Sequence, residues 1–193
     1  MSDDGGAREL NERANEIFAT DPSLAFEIRK ELADNGSAWA MRCTGPQYQI
    51  GRGVEPNLLL AEQYIYQAQL AGSWMATLNL AKLLFDHRIN EKWRGILENG
   101  CGSGFIPANF WLAWYCYKRS PRRRTAREVR PLFEIAANAG HPGARMILAR
   151  WKGQGKFGMH EMRQGFREFR SIWNDFRSGR LGNHVNQTEV ART

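Results

Sequence analysis

GRGVEPNLLLAEQYIYQAQLAGSWMATLNLA, from Gly51 to Ala81, is the stretch whose reading decides the fold. It opens on a glycine-rich turn, and from Asn57 the residues Ala61, Tyr64, Ile65 and Ala68 follow the i, i+3, i+4, i+7 spacing of one buried helix face. Gly72 closes that helix, and Ala76, Leu80 and Ala81 carry the pattern into a second one.

Outward from this stretch the pattern recurs. Gly36, Gly72, Gly104 and Gly140 stand 36, 32 and 36 residues apart, and four residues after each comes an alanine: Ala40, Ala76, Ala108 and Ala144. Leu80, Leu112 and Leu148 precede Ala81, Ala113 and Ala149 at a further fixed offset, where the first unit has Thr44 and Gly45. Before the glycines the register holds as well, with Ile28, Tyr64, Ile96 and Leu132, then Leu32, Ala68, Gly100 and Ala136. Small residues at fixed places let helices approach closely while leucine fills the space beside them. A period in this range, kept in several columns at once, is the signature of stacked helix pairs.

Gly51, Gly53, Val54 and Asn57, then Ala61, Tyr64, Ala68 and Gly72, then Ala76, Leu80 and Ala81, resemble the Sel1-like repeat, a relative of the tetratricopeptide repeat. The resemblance covers residues 36 to 152 closely and the flanks loosely. It implies an all-α, right-handed α-solenoid of antiparallel helix pairs, with units near 7–35, 36–71, 72–103, 104–139 and 140–178, and a polar tail over 181–193. Two departures stand out: His87, Arg88, Ile89 and Asn90 replace the glycine loop in one unit, and SPRRRT replaces it in the next.

The expected helices run near 7–19, 22–35, 37–49, 57–71, 73–86, 90–99, 106–118, 124–139, 142–152 and 158–178, with Asp21 as an N-cap and Pro22 in the first helical position. In the last, Met162, Phe166, Phe169, Trp173 and Phe176 form an aromatic stripe beside Arg163, Arg167, Arg170 and Arg177. The expectation is a capping helix that covers the end of the stack with its aromatic side. The other reading is a surface for an anionic membrane or a partner helix.

With 24% charged and 42% hydrophobic residues, the composition is that of a soluble globular chain. The apolar run from Phe105 to Tyr117 is too short to span a bilayer and is interrupted by Pro107 and Asn109. MSDDGGAREL lacks the basic and apolar regions of an export signal, so a cytoplasmic location is expected. Cys43, Cys101 and Cys116 lack CxxC spacing and read as reduced packing residues. His87, His141, His160 and His184 are scattered, so no metal site and no cofactor are expected.

Charge divides unevenly along the chain. Residues 1–100 hold 10 Lys or Arg against 14 Asp or Glu, whereas residues 101–193 hold 17 against 6. The densest basic segment comprises Lys118, Arg119, Arg122, Arg123, Arg124, Arg127 and Arg130.

Three function classes can be compared. No nucleophile has a plausible base, no carboxylates pair, and the GRG and GQG loops lack the Lys and Ser/Thr of a phosphate loop, so the chain does not read as an enzyme. A binder of nucleic acid or of an acidic membrane surface would use the basic residues Arg119, Arg122, Arg123, Arg124 and Arg127, but no reading motif accompanies them. A protein-interaction scaffold fits best, monomeric or weakly dimeric. The first helices of successive units carry Trp39, Arg42, Trp74, Asn79, Lys82, Trp111, Trp114, Tyr117, Arg150 and Trp151. The resemblance implies that these helices line a concave, partner-binding side, where Trp and Arg serve as anchors. Packing between neighbouring units is the competing role for each Trp. Proteins of this kind serve as adaptors in bacterial signalling, secretion or envelope assembly, and the same class of role is expected here.

Overall fold

In the computed structural model the described residues are 4–88 and 91–178, with side chains described from residue 9. The expected tail, His184, Ile89 and Asn90 lie outside them. The helices are α1 (Asp4–Ile17), α2 (Pro22–Asp34), α3 (Ala38–Ile50), α4 (Leu58–Leu70), α5 (Trp74–Asp86), α6 (Lys92–Gly102), α7 (Ile106–Arg119), α8 (Arg123–Glu128), α9 (Arg130–Asn138), α10 (Pro142–Gly153) and α11 (Met162–Arg177). A 3-10 turn at Met159–Glu161 leads into α11, and among the described residues there is no strand. None of these helices is long and apolar enough to cross a membrane.

One junction is built four times. Gly36, Gly72, Gly104 and Gly140 take left-handed φ angles of 95°, 86°, 76° and 90°. The N–H of the following residue then donates to a carbonyl five positions back: Ser37 to Leu32, Ser73 to Ala68, Phe105 to Gly100 and His141 to Ala136, all at 2.9 or 3.0 Å. This pairing satisfies carbonyls that the helix end would otherwise leave open. The same residue begins the next helix, and the side chains of Ser37, Ser73 and His141 accept from the N–H groups of Ala40, Ala76 and Ala144. A Cβ on any of these four glycines would meet nothing within 4 Å, so glycine is needed for the angle and not for space. Helix ends and starts are thus joined in two residues, which forces an antiparallel pair.

The small-residue columns lie where helices meet. Ala40, Ala76, Ala108 and Ala144 are fully buried, as are Ala81 and Ala113, with Leu80, Leu112 and Leu148 nearly so.

The chain divides into two compact units, Met1–Ile96 and Leu97–Thr193. In the first, Leu32, Ala33 and Ala40 form a core closed by Ile28, Trp39, Met41 and Tyr64. Arg29 is also buried there; its guanidinium donates to Gln47 Oε1 at 3.0 Å and to Asn15 Oδ1 at 2.9 Å, and lies 4.2 Å from the Phe18 ring centre. The cation ties α1, α2 and α3 together without a carboxylate among these partners. In the second unit Phe133 and Trp151 cross edge to face at 5.3 Å inside a core that includes Ala113, Val129, Leu148 and Phe157.

Three expectations are corrected, and the first departure from the glycine loop takes a defined backbone shape. The helix expected over 124–139 is broken at Val129, because Pro131 has no N–H to continue the ladder and α9 restarts around it. The helix expected over 158–178 begins with the 3-10 turn. At the first departure from the glycine loop, Arg88 adopts φ 52°, so a non-glycine residue occupies the left-handed position. Lastly, α11 does not bury its aromatic stripe: Gly165 and Ile172 are its buried residues, while Phe166, Trp173 and Phe176 are exposed. The small Gly165 lets the α11 backbone settle onto α10, with the Phe166 ring at the edge of that contact beside Gly153 and still largely exposed, as are Trp173 and Phe176.

Candidate functional site

The expected ladder falls into two groups, one in each compact unit. In the first unit Trp39 is half-buried against the Leu32–Ala40 core and stands 5.8 Å from the Arg29 guanidinium. Arg42 and Asn79 are half-buried. Trp74 is exposed. Lys82 is exposed too, but pairs with Asp86 one turn on.

The second unit holds the more coherent group. On α7, Trp111, Trp114 and Lys118 are spaced by three and four and therefore share a face. The Trp111 ring centre lies 5.5 Å from that of Tyr115, and Trp114 rests half-buried on the core with the Lys118 ammonium 5.9 Å from its ring. Trp114 and Arg150 both stand ten residues after their anchor glycines, so they occupy the same place on α7 and α10. Arg150 is exposed. Neither α7 nor α10 contains an aspartate or glutamate. At these positions the two helices are cationic and aromatic, and neither supplies a carboxylate.

Tyr117 and Trp151 belong elsewhere. Their rings pack 4.3 Å apart, Trp151 is buried, and the Lys156 ammonium donates to the Tyr117 hydroxyl while facing both rings. Trp151 is therefore core, a correction to its place in the ladder, and Tyr117 is the lid on that core. Lys118 was expected in the basic segment and not in the ladder, and Lys156 was expected in neither. Spacing from Trp114 could have found Lys118, whereas Lys156 reaches Tyr117 only because the loop after α10 folds back.

The basic segment is partly consumed by the fold. Arg124 pairs with Glu128 at 2.9 Å, and Arg127 donates to the Lys156 carbonyl at 3.3 Å. Arg130 bonds Glu134 at 2.7 Å and Glu161 at 2.8 Å, and that guanidinium holds the Glu161 carboxyl below the usual carboxylate range. Arg119, Arg122 and Arg123 are exposed. Some of these contacts staple helices, while Arg119, Arg122, Arg123, Arg124 and Arg127 all remain exposed.

Two further groups bear on chemistry. The His141 ring stacks on Phe110 at 4.1 Å, its Nδ1 caps α10, and burial pushes its pKa down, all of which suit a neutral structural imidazole. Cys43, Cys101 and Cys116 are in no disulfide, and burial raises the pKa of the first two. Among the described residues no cluster of three or more His, Cys, Asp or Glu is placed to hold a metal ion.

Solved structures with this arrangement exist. A Sel1 repeat protein from Oxalobacter formigenes superposes with a TM-score of 0.67 at 15% identity, over 96% of this chain and 84% of that one. The fold is that of a Sel1 repeat protein. A second Sel1-fold structure, c5321, a protective antigen of uropathogenic Escherichia coli, gives a TM-score of 0.63 at 16% identity over 94% of this chain. The present chain spans 42% of that protein's length. No family model matches the sequence, and no curated protein matches it.

Proposed function

We propose that the protein is a non-catalytic interaction scaffold that captures a partner protein or peptide through the first helices of its repeats. The observation that carries this reading is the α7–α10 surface of Trp111, Trp114, Lys118 and Arg150, with no acidic residue on either helix. Half-exposed tryptophans offer apolar area at low entropic cost, and the two cations select what lies beside them. The fitting partner presents a bulky apolar side chain flanked by carboxylates. Repeat folds suit such work because they spread a binding surface over successive units. We place the protein in the bacterial cytoplasm, as an adaptor in signalling, secretion or envelope assembly, with a monomer or weak dimer as the working unit.

The test is affinity capture from source-cell extract, identification of the partner, and titration of purified partner against variants. Lys118→Glu and Arg150→Glu alter exposed charges and leave the core intact; the Trp111→Ala, Trp114→Ala pair removes the anchors. Each anchor should cost about 2 kcal/mol or more in binding, with mild salt dependence. A partner bound equally well by all these variants overturns the proposal.

A further inference from the structure

The outward side of α11 sets exposed aromatic rings beside a row of arginines. Phe166 and Phe176 are 63% and 62% exposed and Trp173 47%, although large aromatic residues are ordinarily among the best buried. At 100° per residue, Phe166 and Trp173 lie along one line of the helix, and Arg177, Arg170, Arg163 and Arg167 fill the adjoining sector. All four arginines are exposed, and none forms an ion pair or hydrogen bond among the described residues. Acidic residues of α11 sit elsewhere: Glu168 is held by Lys152 at 3.0 Å against α10, and Asp175 falls outside the arginine sector. The helix therefore presents two parallel rows, one aromatic and one cationic, over a length of about 24 Å.

We propose that this face of α11 docks onto an anionic lipid leaflet, with Phe166 and Trp173 entering the acyl boundary and the arginines on lipid phosphates. An interfacial helix needs both rows side by side, since apolar burial supplies depth and guanidinium–phosphate contacts select anionic lipid. Two other occupants are less well matched. A second copy could bring carboxylates through Glu9 and Glu16 of α1, but the large apolar residue exposed there is Leu10, too little to cover three aromatic rings. A nucleic acid strand needs open ring faces for base stacking, whereas Trp173 and Phe176 are stacked on each other at 6.1 Å and 28°. The inference is independent of the α7–α10 reading and concerns a different surface.

The full chain is titrated with phosphatidylcholine vesicles and with vesicles containing about one-third phosphatidylglycerol, at low and physiological salt. Co-sedimentation is the readout, and circular dichroism verifies that every variant is folded. Binding should require the anionic lipid and persist at physiological salt. It should fall roughly a hundred-fold in Arg163→Gln, Arg167→Gln, Arg170→Gln, at about five-fold per charge, and on the order of ten-fold in Phe166→Ala, Trp173→Ala. Arg122→Gln, Arg123→Gln should change it little. The proposal is overturned if anionic vesicles are not bound, or if the aromatic variant binds them as wild type does, since net charge alone then explains the binding. Loss in the Arg122 and Arg123 variant overturns it too, as does a wild-type dimer that the aromatic variant dissolves without any vesicle binding.

Discussion

Gly165 on α11 lies directly on Gly153 of α10: a Cβ built at Gly165 would collide with the Gly153 backbone nitrogen and stand 2.5 Å from Lys152 Cβ. The obstacle is largely backbone, which cannot swing aside as a side chain can. Gly165→Ala gains up to about 1 kcal/mol in helix propensity but must push α11 off its seat, so the net result is a loss of about 1 to 3 kcal/mol. Chemical denaturation should show it. Gly95→Ala on α6, where nothing lies within 4 Å, is the control and should be neutral or stabilising.

The alanine columns make a second prediction. Ala76, Ala108 and Ala144 are fully buried at helix contacts, so Leu at any of them overpacks the stack at a cost of about 1 to 3 kcal/mol. Thermal melts of the three variants measure this, and neutral behaviour at two of them would contradict the register.

His141 links stability to pH. Burial lowers its folded-state pKa, and its Nδ1 must be unprotonated to accept from Ala144 N–H. A depressed histidine pKa means the unfolded chain takes up the proton first; the stabilisation is complete above the ordinary histidine value of about 6.5 and is lost as pH falls below it. His141→Ser keeps the cap, as Ser37 and Ser73 do at the equivalent junctions, and should flatten the stability profile between about pH 6.5 and 5. Urea midpoints across that range, wild type against variant, give the comparison.

The buried Arg29 makes the last prediction. Its charge is held by the side-chain oxygens of Gln47 and Asn15, and its Nε has no hydrogen-bond partner among the described residues. Desolvation lowers its pKa, although an arginine in this setting stays charged. Gln47→Ala removes one of two acceptors from a buried cation and should destabilise by about 1.5 to 3 kcal/mol. Glu62→Ala, on α4 nearby in sequence, should stay within about 0.5 kcal/mol. Equilibrium unfolding of the two variants tests the difference.

The repeat was legible in the sequence because it rests on local rules. A left-handed glycine, a capping residue and an alanine four positions on define each helix junction within a few residues, and Gly36, Gly72, Gly104 and Gly140 all do what their spacing implies. Periodicity likewise marks which helix face is apolar, so the buried columns of Ala76, Leu80 and Ala81 could be read directly. The candidate site was legible only in part: the spacing pointed to Trp111, Trp114 and Arg150, which the fold leaves half-buried or exposed, yet Trp151 proved to be core and Arg130 a staple between Glu134 and Glu161. Such assignments depend on partners distant along the chain, which no local pattern encodes. The same holds for α11. Its sequence says that Phe166 and Trp173 share a line, but which line meets α10 is decided by the close approach of two backbones, and that approach lies at Gly165 and Gly153. Tertiary packing, not periodicity, turned the aromatic row outward.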